Sequence, residues 1–239
     1  MRESARARVL ETVPDDALVL DVGGWAVPFP RADWVLDLGR YATRGEWGYE
    51  GDRATERFTA DTWVQRDICD REPWPFADDR FDFAICSHTL EDVRDPVFVC
   101  SELQRVAKAG YLEVPSRLEE QCWAFQGPWT GWSHHHWLIE ADQEAGAIEF
   151  VFKHHVVHAP RNRFAAGFRD TLSAEQRLTS LWWEGSFAFA ERIFTEPAAL
   201  EAYLRDFVVA HGPPGDAPVR PRRAWRGPPG RGRRRRPRS

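Results

Sequence analysis

Short apolar runs of strand length, each closed by an acidic residue, recur along the first half of this 239-residue chain. Ala17–Val22 (ALVLDV) carries Asp21 near its end, Trp34–Leu38 (WVLDL) carries Asp37, and the shorter run Trp63–Ile68 carries Asp67. Unbroken apolar runs of this length mark strands buried on both faces, as in a parallel sheet covered by helices. Phe81–Ser87 and Tyr111–Val114 read as a fourth and a fifth strand. Between them, Val97, Val99, Cys100, Leu103, Val106 and Ala107 recur at helical spacing, which predicts a helix over Pro96–Ala109 stopped by Gly110. Ser4–Val13 reads as a short helix and Gly39–Thr62 as loop with a helical turn. Strands separated in this way predict an α/β fold with a mainly parallel sheet.

Beyond Pro115 the pattern changes. His134–Glu140 and Ala147–Val157 flank the polar ADQEAG turn and read as an antiparallel hairpin at the sheet edge. Ser173–Leu181, opening on a Ser-x-x-Gln capping box, and Pro197–Val209 read as C-terminal helices. One domain is expected over residues 1–212, with its core at about 14–116 and the hairpin and a lid or helical region at about 117–212.

The formal net charge of −5 conceals a division, because the segment from Pro213 onward holds ten arginines and one aspartate. This tail, 213–239, is nearly all Pro, Gly and Arg and is expected to be disordered. It reads either as a solvated extension or as an arm for an anionic surface. The acidic body argues against nucleic acid as a partner, except through that tail. No apolar run approaches the length that spans a bilayer, and MRESARARVLETVPDD lacks the apolar stretch of a signal peptide, so a cytoplasmic protein with no membrane partner is expected. Cys69, Cys86, Cys100 and Cys122 contain no C-x-x-C pair and read as reduced thiols in or near the core.

Chemistry concentrates between Pro75 and Pro96, PFADDRFDFAICSHTLEDVRDP. A polar turn, a buried strand and then Ser87, His88, Glu91 and Asp92 place polar groups at a strand's carboxyl end, where open parallel sheets bind ligands. The surrounding sequence resembles the class I S-adenosylmethionine-dependent methyltransferases, in particular the type 11 subgroup. The resemblance rests on Asp67, Trp74-Pro75-Phe76, Phe81-Asp82, Ser87-His88-Thr89-Leu90-Glu91 and the helix end Leu103-Gln104-Arg105-Val106-Ala107-Lys108-Ala109-Gly110, in that order. It implies a Rossmann-like sheet and S-adenosylmethionine as cofactor.

By the same resemblance, Asp37 receives the ribose hydroxyls, Asp67 the adenine amino group with Ile68 beside the ring, and Asp21, Gly23 and Gly24 form the first-strand acid and glycine turn. Ser87 belongs to the fourth-strand end of the same pocket. Two departures stand out: the turn runs Gly23-Gly24-Trp25-Ala26-Val27 where the family continues Gly-x-Gly-x-Gly, and Asp92 replaces the usual histidine after Glu91. With Pro28 and Pro30 in the short first connection, either an irregular crossover replaces the usual first helix or the cofactor site is degraded. GGWAVP lacks the G-x-G-x-x-G of nicotinamide-binding proteins.

The implied activity is in-line methyl transfer to a small-molecule acceptor, and the alternative is a non-catalytic binding or scaffold protein on the same fold. His88 and His135 are the candidate bases, since imidazole titrates near neutrality. Six of eight histidines lie between His134 and His158, but no carboxylate or cysteine stands at a recognisable ligand spacing from them, so no metal site is expected. The tryptophans of the second half read as core or as an aromatic wall to a pocket. Neither the acceptor nor the oligomeric state is legible.

Overall fold

The computed structural model describes residues 1–45 and 53–213. Its main sheet contains β1 (Val19–Val22), β2 (Trp34–Asp37), β3 (Trp63–Gln65), β4 (Phe83–Ser87), β5 (Ala109–Pro115) and β8 (Leu178–Glu184). They lie in the order β3-β2-β1-β4-β5-β8, with the first five strands parallel and β8 antiparallel to β5. The expected α/β, mainly parallel sheet is therefore present. The order reverses between β1 and β4, so a crevice opens beyond their carboxyl ends.

Side-chain alternation along these strands builds two cores. On one face, Val19, Val35, Phe83, Ile85 and Tyr111 pack against Ala5 and Val9 of α1 (Glu3–Thr12). On the other, Leu20, Val22, Leu36, Ala84, Cys86 and Leu112 meet Val99, Cys100, Leu103 and Val106 of α2 (Pro96–Val106). All four cysteines are free and buried, as expected. α2 starts where Asp95 accepts the Phe98 N–H at 3.0 Å, with Pro96 in the first turn.

Three expectations need correction. The helix does not run on to Gly110: it ends at Val106, because Phe81 captures the chain through Phe81 N–H to Val106 O and Lys108 N–H to Phe81 O, at 2.9 and 3.0 Å. Gly110 lies inside β5, where a Cβ would stand 2.4 Å from the Ala84 carbonyl. Second, Ser173–Leu181 is not a helix. Ser173 and Gln176 do exchange the two capping bonds, at 2.8 and 3.2 Å, but Leu178–Glu184 becomes the strand β8. Third, the hairpin of β6 (Trp137–Asp142) and β7 (Ala147–Phe152) is not at the edge of the main sheet. It joins β9 (Ala188–Glu191) in a separate three-stranded sheet packed on the α2 side, while β8 takes the edge.

The short helix α3 (Arg117–Glu120) follows β5, and α4 (Pro197–His211) closes the described chain as expected. Gly39–Thr62 contains three-residue helical turns at Tyr41–Thr43, Arg53–Thr55 and Ala60–Thr62. The Arg-rich tail beyond residue 213 lies outside the described residues. Among those described, no helix is long and apolar enough to cross a membrane.

Candidate functional site

A cavity of about 1150 Å³ opens beyond the carboxyl ends of the parallel strands. Of the residues singled out in the sequence, Gly23, Asp37, Asp67, Ile68, His88 and His135 line it. Asp21, Gly24 and Ser87 do not line it, and each acts from behind the wall. Asp21 is buried and accepts the Phe29 N–H at 2.8 Å, tying the proline-rich first connection back to β1. Gly24 sits on that carboxylate so closely that a Cβ would come 2.3 Å from Asp21 Oδ2. Ser87 Oγ donates to Glu113 at 3.3 Å.

The turn after β1 is shaped by Gly23, whose φ of +78° is left-handed and whose Cβ would lie 2.1 Å from Thr89 Oγ1. Asp37 then joins two turns: Oδ2 accepts the Trp25 N–H at 2.9 Å and Oδ1 the Gly39 N–H at 2.6 Å. Each oxygen keeps a lone pair for a ligand hydroxyl. Burial raises the Asp37 pKa against the two backbone hydrogen bonds that lower it. Burial also pushes Asp21 up to about 7, opposed by the Phe29 N–H and reinforced by nearby Asp37. Asp67 accepts the Cys69 N–H at 2.8 Å and is paired with Arg94 at 2.6 Å.

His88 lies between two carboxylates, with Nδ1 3.5 Å from Glu91 and Nε2 3.6 Å from Glu113. Burial works to lower its pKa, but hydrogen bonding to Glu113 and Glu91 outweighs this and lifts it to about 9. The two carboxylates thus favour the charged imidazole, an effect that solvent screens because the side chain is 45% exposed. Glu113 is buried and held down to about 2, because bonds from His88 and Tyr111 overcome the cost of burial. Glu91 is also buried, and its Oε2 has no hydrogen-bond partner among the described residues.

Trp132, His134, His135, Arg169 and Arg177, all from the second half of the chain, also line the cavity. His135 Nδ1 is 2.7 Å from Glu120 Oε1, a contact in which the Nδ1–H donates to the carboxylate. Arg177 Nε is buried with no partner among the described residues. Sequence reasoning missed Glu113, Glu120 and Arg177. Glu113 left a signal, a charge inside the apolar run YLEVP, whereas the others join the site only through folding. The aromatic wall is small: Trp132 lines the cavity, while Trp137 and Trp183 belong to the core.

Residues 49–112 match a family model described as "Methyltransferase domain". No curated protein sequence matches the chain. Among solved structures, a putative methyltransferase from Bacillus halodurans C-125 is 23% identical, with 47% of this chain and 52% of that one covered and a TM-score of 0.35. The YcgJ protein from Bacillus subtilis is 19% identical over 48% of this chain and 52% of that one, with a TM-score of 0.38. An S-adenosylmethionine-dependent methyltransferase from Mesorhizobium loti is 17% identical over 50% and 59%, with a TM-score of 0.35. The chain thus spans about half the length of the solved structures it matches.

Proposed function

We propose that this chain is a class I methyltransferase of the type 11 family and carries a methyl group from S-adenosylmethionine to a small-molecule acceptor in the cytoplasm by in-line transfer. The observation that carries the reading is the cavity beyond β1, β2 and β4, which Gly23, Asp37, Ile68 and Glu91 line together. When bound, S-adenosylmethionine supplies an electrophilic methyl on a cationic sulfonium. The acidic wall and the bare Gly23 backbone fit a cofactor with a cation, a ribose diol and no phosphate. Asp37 would hold the ribose hydroxyls through its remaining lone pairs, each such bond being worth roughly 1.5–3 kcal/mol. Asp67 and Ile68 would take the adenine.

Such transfer requires no protein nucleophile, and alignment alone can supply roughly 7–11 kcal/mol. Of the cavity-lining residues, Arg177 and Trp132 would align the acceptor, the one by its charge and the other by an aromatic face. Of the two candidate bases, His135 is held at Nδ1 by Glu120, whereas hydrogen bonding to Glu113 and Glu91 raises the His88 pKa to about 9, which disfavours His88 as a base. His88 instead keeps Glu91 and Glu113 compensated beside the methyl-transfer position.

One observation favours the alternative of a non-catalytic methyltransferase-like module: Arg94 already occupies Asp67 at 2.6 Å, on top of the missing glycines. Calorimetry separates the two. Titration of the full chain with S-adenosylmethionine is expected to show one site with a Kd below about 1 mM. No heat of binding with millimolar cofactor would defeat the enzyme reading.

A further inference from the structure

Two hydrogen bonds bring the histidine run to the loop after β4. The His136 N–H donates to the Glu91 carbonyl, and the Trp137 indole N–H to the Val93 carbonyl, both at 2.7 Å. They fix Asp92 opposite His134 and His135, more than forty positions away in sequence. Asp92 Oδ1 is 3.9 Å from His134 Nε2 and 3.8 Å from His135 Nε2, and ligand-capable atoms of all three lie within 4.8 Å of one another.

His135 is 7% exposed and does not stand alone. Glu120, buried behind it, accepts at Oε1 from Nδ1 and at Oε2 from Lys153 Nζ, the latter at 2.6 Å. Lys153 is held in turn by the Trp132 carbonyl at 2.8 Å. A carboxylate on one imidazole nitrogen fixes the tautomer and aims the other lone pair, the arrangement that supports metal-binding histidines.

We propose that Asp92, His134 and His135 form a binding site for a divalent transition metal, with Glu120 as the positioning residue behind His135. Two imidazoles and one carboxylate suit borderline ions such as Zn²⁺, Fe²⁺ and Co²⁺, while Mg²⁺ and Ca²⁺ require oxygen-rich sets. Ligands at about 2.1 Å from an ion lie roughly 3.0–3.5 Å apart, so Asp92 needs to close on each imidazole by roughly 0.3–0.9 Å and the two imidazoles on each other by up to roughly 1.8 Å. His134 and Asp92, with side chains 53% and 41% exposed, are free enough to make that movement. The remaining coordination positions face the cavity, and there an oxygen or nitrogen of the acceptor completes the sphere. That last step rests on the methyl-transfer reading; the metal site does not.

The test titrates metal-stripped full-length protein with Co²⁺, followed by Zn²⁺ in competition. One equivalent of Co²⁺ is expected to bind with a visible absorption band from imidazole coordination, and Zn²⁺ to bleach it. His134→Ala and Asp92→Asn, both at exposed side chains, should each weaken binding at least tenfold without lowering the melting temperature of the metal-free protein. Glu120→Gln should weaken binding by roughly 10- to 100-fold while the Co²⁺ spectrum persists at saturation. No uptake, or uptake unchanged in both His134→Ala and Asp92→Asn, overturns the proposal. Calorimetry of the metal-free protein with S-adenosylmethionine keeps the two claims apart: cofactor binding without Co²⁺ uptake removes only the metal site, and Co²⁺ uptake without cofactor binding removes only the methyl-transfer reading.

Discussion

At Asp21, burial outweighs solvation of the charge. The carboxyl pKa of about 7 stands above its ordinary value of 3.8, so the folded protein binds a proton that the unfolded chain has already released between those pH values. Its stabilising contribution is full below about pH 4 and lost as pH rises through 7. Asp21→Asn retains an acceptor for the Phe29 N–H and cannot ionise. Urea unfolding of this variant is expected to lack the loss, on the order of 4 kcal/mol, that this group imposes on the parent between pH 4 and 7. In the proposed function, Asp37 turns its charge toward a ligand. Asp37→Ala should weaken S-adenosylmethionine binding by roughly 10- to 150-fold in calorimetry, the equivalent of losing one charge-assisted hydrogen bond. The acidic strand ends were legible because a carboxylate interrupting an apolar run has few structural uses. Their division of labour was not, since only the fold sets Asp21 behind the wall and Asp37 on it.

Among the elements, β8 shows where local signals fail. Ser173 and Gln176 make the helix-capping bonds their spacing predicts, yet the seven residues from Leu178 onward pair with β5. Burial of Leu181 and Trp183 two positions apart favours a strand, and pairing with a core strand outweighs a cap worth about 1 kcal/mol. The same Trp183 explains Gly110, the residue that reads from sequence as a helix stop. A methyl group there would meet the Ala84 carbonyl at 2.4 Å and the Trp183 ring at 2.8 Å. Gly110→Ala is expected to cost about 3 kcal/mol and to lower the melting temperature by roughly 5–10 °C in a thermal scan. The parallel strands and α2 were legible because their periodicity is unbroken and their packing local. The second sheet was not, because joining β9 to β7 requires a partner forty residues away that no local pattern announces.

Across the whole molecule, the cavity joins two regions that the sequence shows only separately. The strand ends of the first half supply Gly23, Asp37, Asp67 and Glu91, and the second half contributes Trp132, His134, His135 and Arg177. The proposed direct transfer needs donor and acceptor in one such space, since the reacting atoms must come within bonding reach. The central claim is that the Gly23–Asp37–Ile68 wall holds the methyl donor, and a crystal structure of the full chain with S-adenosylhomocysteine tests it most directly. The account predicts the ribose against Asp37, the adenine beside Ile68 and the sulfur facing the histidine end. Density for the ligand elsewhere on the protein, with this wall unoccupied, would contradict it.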